Sequence, residues 1–198
     1  MKPPLILATG LAVLAAAPAL AGGTAEPAPG PVTIEQAPAA PSGVDWTGPS
    51  VGVQLGYADV STYGSAAVAG DGVLYGLRAY YDFDLGNVIV GGGLQYDAAD
   101  IDLGGATTLE SVTRLGARAG VDLTNSWVYG TAGLAHANTS NPAIGDSNGW
   151  FGGVGYEMLV SDGITIGAEV LYHEFSDFAD PGLTAEATTA AVSVNFRF

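Results

Sequence analysis

The strongest constraint on the fold is an alternation of apolar and polar residues that runs from Trp46 to Phe198. Successive side chains of a β-strand point to opposite faces, so a period of two predicts strands whose faces differ in chemistry. Clusters of Gly, Asp, Asn and Ser interrupt the alternation. Eight segments are predicted, at about 48–59, 72–84, 87–98, 107–122, 126–137, 149–160, 163–174 and 185–198.

The two faces of these segments carry different residue types. One face holds aliphatic and aromatic side chains, as at Val53 and Leu55, and the other holds Gly, Ser and charged residues. The four Arg all fall on the polar face, and the fourth segment places Glu110, Arg114 and Arg118 there together. Small residues beside opposite charges suit the inside of a narrow barrel, where Gly leaves room for long side chains.

The apolar face is then expected to contact lipid. Closure of the barrel would leave no unpaired strand edge in the membrane, and no apolar run after residue 21 approaches the roughly 18 residues of a membrane helix. We therefore predict an all-β fold, an eight-stranded antiparallel up-and-down transmembrane β-barrel, with a secreted β-sandwich as the alternative. The predicted interior charge network comprises Arg78, Glu110, Arg114, Arg118, Glu157, Glu169, His173 and Arg197.

This network is expected to plug the barrel, because an eight-stranded barrel is only just wide enough for its own side chains. Removing one partner of a buried ion pair leaves an unpaired charge and typically costs roughly 3–5 kcal/mol. Arg114→Ala is therefore expected to destabilise the barrel. The alternative interpretation of the same charges is a narrow channel for small solutes.

Aromatic residues fall towards the segment ends, as in the girdles of membrane barrels. One boundary is predicted to hold Trp46, Tyr81, Phe83, Phe196 and Phe198, and the other Tyr57, Tyr75, Tyr96, Trp150 and Tyr172. The fifth segment is ambiguous, because Trp127 and Tyr129 compete with Val128 and Leu134 for the outer face. We predict that Trp127 and Tyr129 face outwards.

The connections alternate between short turns and longer links. The turns lie near 85–87, 123–126 and 161–163, and the links near 60–71, 99–106, 138–148 and 175–184. Outer-membrane barrels have short periplasmic turns and longer outer loops, so both chain ends are predicted to be periplasmic.

Seven Asp residues fall near the predicted outer ends: Asp59, Asp71, Asp97, Asp100, Asp102, Asp177 and Asp180. Their carboxylates suit divalent cations, but simple solubility of exposed loops is the favoured explanation.

Residues 1–21 have the features of an export signal peptide. Lys2 precedes an apolar stretch, and Ala19-Leu20-Ala21 forms a small-x-small cleavage site. Residues 22–45 are rich in Pro and Ala, which favour an extended and solvated chain. We predict a signal peptide over 1–21, a periplasmic leader over 22–45 and a barrel over 46–198.

Composition excludes several functions. Twenty acidic residues against five basic ones give a net charge of −15, which excludes a nucleic-acid binder. There is no Cys, no credible Gly-rich phosphate loop and no metal-ligand spacing at His136 or His173. No cofactor, metal or catalytic residue is predicted. A lipid-modifying enzyme is the third-ranked function, because Asn138 stands where a lipid A deacylase would have the Ser of its His-x-Ser motif.

Two stretches carry a resemblance to a known family. The segment GYEMLVSDGITIGAEVLYHEF (155–175) and the terminal VSVNFRF (192–198) resemble the small eight-stranded outer-membrane barrels, the OmpA/OmpX-like and opacity-protein group of surface antigens. The resemblance implies a monomer in the bacterial outer membrane, in contact with lipid and lipopolysaccharide. It also implies that Phe196 and Phe198 form the C-terminal signal for the barrel assembly machinery. The implied role is structural or surface-interactive: envelope integrity, adhesion or antigen display.

Overall fold

Eight antiparallel strands form a closed barrel. The structure is a computed structural model that describes residues 43–64, 67–176, 178 and 182–198. The predicted signal peptide and residues 22–42 of the predicted leader lie outside the described residues, as do Asp177 and Asp180. The strands are β1 (Gly48–Gly64), β2 (Ala69–Asp84), β3 (Val88–Leu103), β4 (Thr107–Asp122), β5 (Ser126–Thr139), β6 (Ser147–Ser161), β7 (Ile164–Phe175) and β8 (Leu183–Arg197).

Each strand pairs with its neighbour in sequence, and β1 pairs with β8 to close the sheet. The predicted eight-stranded up-and-down barrel is therefore confirmed. None of the described residues forms a helix long and apolar enough to cross a membrane.

The two ends of the barrel differ in their connections. At one end, called here the turn end, lie the turns 85–87, 123–125 and 162–163, the segment 43–47 and Phe198. At the other, the loop end, lie the connections between β1 and β2, β3 and β4, β5 and β6, and β7 and β8, of which residues 67–68, 104–106, 140–146, 176, 178 and 182 are described. The strands run further towards the loop end than predicted, since β1 continues to Gly64 and β2 begins at Ala69. Most of the link predicted near 60–71 is therefore strand.

Near the turn end, apolar side chains face outwards and polar ones inwards. Val53 and Leu77 are 57% and 63% exposed, whereas Arg78 and Gln95 are buried. The outward aromatic residues include Tyr81 and Phe83 near the turn end and Tyr57, Tyr75, Tyr96, Trp150 and Tyr172 further along. The stretch from Tyr75 to Phe83 falls within the roughly 9–11 residues that a tilted strand needs to cross the hydrocarbon region.

Beyond these aromatic residues the polarity of the two faces reverses. In β1, Asp59 faces outwards between Ala58 and Val60, which are buried inside. In β8, Glu186 is partly exposed, whereas Ala185 and Ala187 are buried. The loop-end half of the barrel thus has polar residues outside and apolar residues inside, as a β-barrel surrounded by water would.

A β-bulge in β4 corrects the prediction for Glu110. The pairing of β4 with β5 shifts register between Leu109 and Ser111, where β4 holds one residue more than β5, and the inside–outside alternation of β4 changes phase there. Leu109 is consequently buried in the barrel, and Glu110 is exposed. Glu110 therefore does not belong to the interior network.

The predictions for Trp127, Tyr129 and Trp46 were also wrong. All three side chains are buried inside the barrel rather than placed on its outer surface, and Val128 and Leu134 occupy the outer face of β5. The interior accepts the rings because glycines leave space: a Cβ on Gly155 would collide with the Tyr129 ring. Trp46 precedes β1 and enters the turn end.

Candidate functional site

The interior near the turn end is organised around Arg118 on β4. Its Nε and Nη2 donate to the two carboxylate oxygens of Asp82 on β2, at 2.9 and 2.7 Å, and its Nη1 donates to Glu157 on β6 at 3.1 Å. The planar guanidinium suits such two-pronged contact with a carboxylate. One side chain therefore ties together three strands across the barrel.

Aromatic rings surround the same guanidinium. Its central carbon lies 3.9 Å from the Tyr80 ring centroid, 4.7 Å from that of Trp127 and 5.2 Å from that of Tyr129. A cation above an aromatic face is attracted by the ring quadrupole, more strongly where water is excluded. The inward orientation of Trp127 and Tyr129 therefore stabilises the buried charge.

Arg197 on β8 connects this cluster to the entry segment, residues 43–47. It donates to Asp82 at 2.9 Å and to the backbone oxygen of Trp46, and its guanidinium lies 5.1 Å from the Trp46 ring centroid. The backbone N–H of Trp46 donates to the Asp84 carboxylate at 3.1 Å. The entry segment thus closes the turn end of the barrel.

The exposed Asp45 fixes a local turn in the same segment. Its carboxylate accepts the Thr47 N–H at 2.9 Å. This hydrogen bond to the charged form lowers the pKa of Asp45 below its ordinary value.

A second cluster lies deeper in the barrel. Arg78 contacts Glu169 at 3.5 Å, and Glu169 also accepts hydrogen bonds from the Tyr129 hydroxyl at 3.0 Å and from Gln95 at 2.9 Å. Gln95 additionally donates to the Tyr80 hydroxyl at 2.7 Å. These contacts connect side chains of strands β2, β3, β5 and β7 across the barrel interior.

Arg114 lies at the boundary with the apolar half of the interior. It donates to Asp97 at 2.5 Å, to Gln95, and through Nε to His173 Nε2 at 3.0 Å. His173 Nε2 must therefore be the acceptor, so its proton resides on Nδ1, which faces the Ala187 carbonyl oxygen at 3.4 Å. His173 is thus a neutral hydrogen-bonding residue of the interior.

The buried charges balance. Arg78, Arg114, Arg118 and Arg197 are all buried, and so are their partners Asp82, Asp97, Glu157 and Glu169. The excess acidic charge of the chain therefore belongs to residues outside this network.

The structure brings together every predicted member of the network except Glu110, and it adds residues that the sequence analysis missed. Asp97 was grouped with the outer carboxylates, yet it is fully buried and paired with Arg114. Asp82, Tyr80 and Gln95 were also missed as partners. Their alternation with outward-facing neighbours such as Tyr81 and Leu94 is the signal that could have found them.

Within the described residues, the two His bond to an Arg side chain, a backbone carbonyl and two Asn side chains. His136 lies on the outer face of β5, and its two ring nitrogens meet amide oxygens of Asn148 and Asn138, at 2.9 and 3.2 Å. Among the described residues, no three His, Cys, Asp or Glu side chains are grouped so that they could hold a metal ion.

Comparison with known proteins identifies the family. The family model described as the outer membrane protein beta-barrel domain matches residues 7–198. The chain belongs to this family. Members of the outer membrane protein beta-barrel family reside in the bacterial outer membrane, and the resemblance predicted from residues 155–175 and 192–198 is confirmed at that level.

Solved structures of other bacterial proteins are similar. Neisserial surface protein A shares 13% identity over 75% of this chain and 97% of its own, with a TM-score of 0.50. The attachment invasion locus protein Ail of Yersinia pestis shares 16% identity over 76% and 99%, with a TM-score of 0.46. OprG of Pseudomonas aeruginosa shares 13% over 79% and 98%, with a TM-score of 0.39. No curated protein matches the chain.

Proposed function

We propose that this outer-membrane barrel is a non-conducting structural protein whose loop end faces the cell exterior and interacts with other surface components. The observation that carries the proposal is the filled interior of the turn-end half. It is occupied by the four Arg, their four carboxylate partners and the aromatic rings around them. An eight-stranded barrel has little space beyond that needed by its own side chains. An ion would have to displace these buried, paired charges.

A planar-bilayer experiment tests this proposal against the narrow channel. The refolded mature chain is expected to show no conductance steps, and a heat-dependent shift in gel mobility verifies folding. The double variant Arg114→Ala/Asp97→Ala removes both partners of one ion pair, so neither charge is left without its partner. It is expected to increase ion leakage. Regular conductance steps from the wild type would overturn the proposal and favour the channel.

The surface role is assigned to the carboxylates that circle the loop end. Asp59, Asp71, Asp100, Asp102, Glu110, Glu174 and Glu186 all lie on the outer face there. All four Arg of the described chain are inside, so contact with phosphate-bearing lipopolysaccharide would require bridging divalent cations. The proposed partners are therefore outer-membrane lipid and lipopolysaccharide, bound by a monomer.

Complementation of a deletion strain tests this role. Replacing Asp59, Asp71, Asp100 and Asp102 by Asn is expected to increase permeability to a hydrophobic dye, and Asp162→Asn at the turn end is the matched control. Equal permeability of both variants and the wild type would contradict a role for the loop-end carboxylates.

Biogenesis and catalysis complete the proposal. Phe196 near the end of β8 and Phe198 just after it are both exposed and are the proposed contact of the barrel assembly machinery. Phe198→Ala is expected to reduce the amount of protein assembled in cells without preventing refolding in detergent.

We assign no enzymatic activity, because His173 is hydrogen-bonded to Arg114 and His136 to the side-chain amide oxygens of two Asn residues. Altered lipid A mass in cells that overproduce the protein would contradict this assignment.

A further inference from the structure

The apolar half of the barrel interior contains a cavity of about 60 Å³. Its walls come from strands on several sides of the barrel and include Ala58, Leu74, Leu109, Ala137, Phe175 and Ala187. These six side chains are apolar and buried. Thr62, Thr107, Thr139 and Thr189 also line the cavity, but the surface that it exposes is almost entirely apolar. A buried void of this size exceeds the roughly 10–15 Å³ that one water molecule requires.

The floor of the cavity is polar but already satisfied. It is formed by Asp97, Arg114 and His173, which bond to one another at 2.5 and 3.0 Å. Gln54 supplies a further hydrogen bond to Asp97, at 2.6 Å; its own Oε1 has no hydrogen-bond partner among the described residues, but Gln54 does not line the cavity. Because a buried water typically needs two to four polar partners, such a cavity favours an apolar occupant over water.

The mouth of the cavity lies at the loop end. Val68, Ile144 and Phe178 line it, and they belong to three different connections between strands. The turn-end side of the cavity is closed by the ion-pair network. A molecule is therefore expected to enter and leave on the side of Val68, Ile144 and Phe178.

We propose that this cavity is a binding site for small, uncharged apolar molecules that enter from the loop end. Asp97, Arg114 and His173 at the floor are already bonded to one another, which disfavours polar ligands, because the desolvation of such a ligand would not be compensated. An engineered apolar cavity of roughly 150 Å³ accepts benzene. The present cavity is smaller, so the site selects occupants of the size of xenon or a short hydrocarbon and rejects benzene. The site does not depend on the proposed surface role.

The test uses xenon as the probe on the full mature chain, refolded with ¹³C-labelled Ala methyl groups. Raising the xenon pressure is expected to shift the methyl resonances of Ala58, Ala137 and Ala187 with saturation. The outward-facing Ala132 and Ala190 are expected to respond linearly, because xenon also dissolves in the surrounding detergent. Linear or absent responses at all five methyl groups would overturn the proposal.

Two variants of the same strand provide the matched comparison. Ala187→Leu fills the cavity and is expected to abolish the saturable shifts at Ala58 and Ala137. Ala190→Leu adds the same atoms on the outer face and is expected to leave them unchanged. Should Ala187→Leu not refold, Ala137→Leu and its outward partner Ala132→Leu repeat the comparison on β5. Saturable shifts that survive filling of the cavity would show that xenon binds elsewhere and overturn the proposal.

An enlarged cavity tests selection by size. Leu74→Ala is expected to permit saturable benzene binding that the wild type lacks. Benzene binding by the wild type at the same concentration would contradict the stated size limit. Failure of both proteins to bind benzene, with heat-modifiable mobility retained, would contradict the assignment of Leu74 to the wall.

Discussion

The two halves of the barrel interior solve the same packing problem with opposite chemistry. In the turn-end half, Arg118 and its carboxylate partners fill the interior, whereas in the loop-end half residues such as Val60, Leu74 and Phe175 do so. The outer surface changes in the opposite sense, from Val53 and Leu77 to Asp59 and Asp71. The medium around each half, lipid or water, therefore determines which kind of side chain fills its interior.

The hydrophobic effect accounts for the difference. It favours the removal of apolar surface from water, so the loop-end half gains stability by burying apolar residues inside. In lipid an apolar side chain gains nothing by moving inwards, because lipid tails are as apolar as Leu. The turn-end half consequently closes its interior with ion pairs and hydrogen bonds. The two halves should respond differently to substitution.

The largest effect is expected from Arg118→Ala in the turn-end half. The change removes the cation that pairs with the buried carboxylates of Asp82 and Glu157. Removing one partner of a buried ion pair typically lowers the free energy of unfolding by about 3–5 kcal/mol. Urea unfolding of the refolded chain in detergent measures the loss. A double-mutant cycle with Asp82→Ala should give strong coupling, and additive effects would contradict the pairing.

Arg114→Ala, at the boundary between the halves, is expected to cost about 3 kcal/mol, because Asp97 would keep only the hydrogen bond from Gln54. Arg114→Ala/Asp97→Ala should recover part of the loss. The unfolding midpoint and heat-modifiable mobility report both variants. An unchanged midpoint for the single variant would count against a structural role for Arg114.

In the loop-end half, Leu171→Ala is expected to cost about 2–3 kcal/mol, which combines lost transfer from water with an unfilled cavity. Leu115→Ala, on the lipid-facing surface, is the control, because lipid or detergent can occupy the vacated space. Its loss should be limited to the transfer contribution, about 1.5–2 kcal/mol. A larger loss at Leu115 than at Leu171 would contradict the packed apolar interior.

The smallest effect concerns the acidic outer face of the loop end. Glu174 and Glu186 are directly opposite across β7 and β8, and like charges in this position repel. Glu186→Gln is expected to raise stability by a few tenths of a kcal/mol at low ionic strength, and salt should remove the gain. Asp162→Asn is the control, and a gain that persists at high salt would exclude electrostatic repulsion as the cause.

The fold was predictable from sequence because alternation with period two is a local signal repeated eight times. The interior positions of Arg78, Arg114 and Arg118 followed from the same signal. The exposure of Glu110 did not, because a single-residue bulge of β4 against β5 changes the phase without altering composition. Trp127 was misplaced because an aromatic residue suits both a membrane interface and a ring stacked on a buried Arg. The cavity depends on the packing of several distant strands, which no local pattern describes.

The reversal of polarity along the strands is tested most directly by four single-Cys spin-labelled variants of β2. The chain has no Cys of its own, and Ala79, Leu77, Asp71 and Ala69 are all exposed on its outer face. In lipid bilayers, labels at 79 and 77 are expected to collide mainly with oxygen, which concentrates in lipid. Labels at 71 and 69 are expected to collide mainly with a water-soluble nickel chelate. Lipid-like accessibility at all four positions would contradict the division of the barrel into a lipid-surrounded and a water-surrounded half.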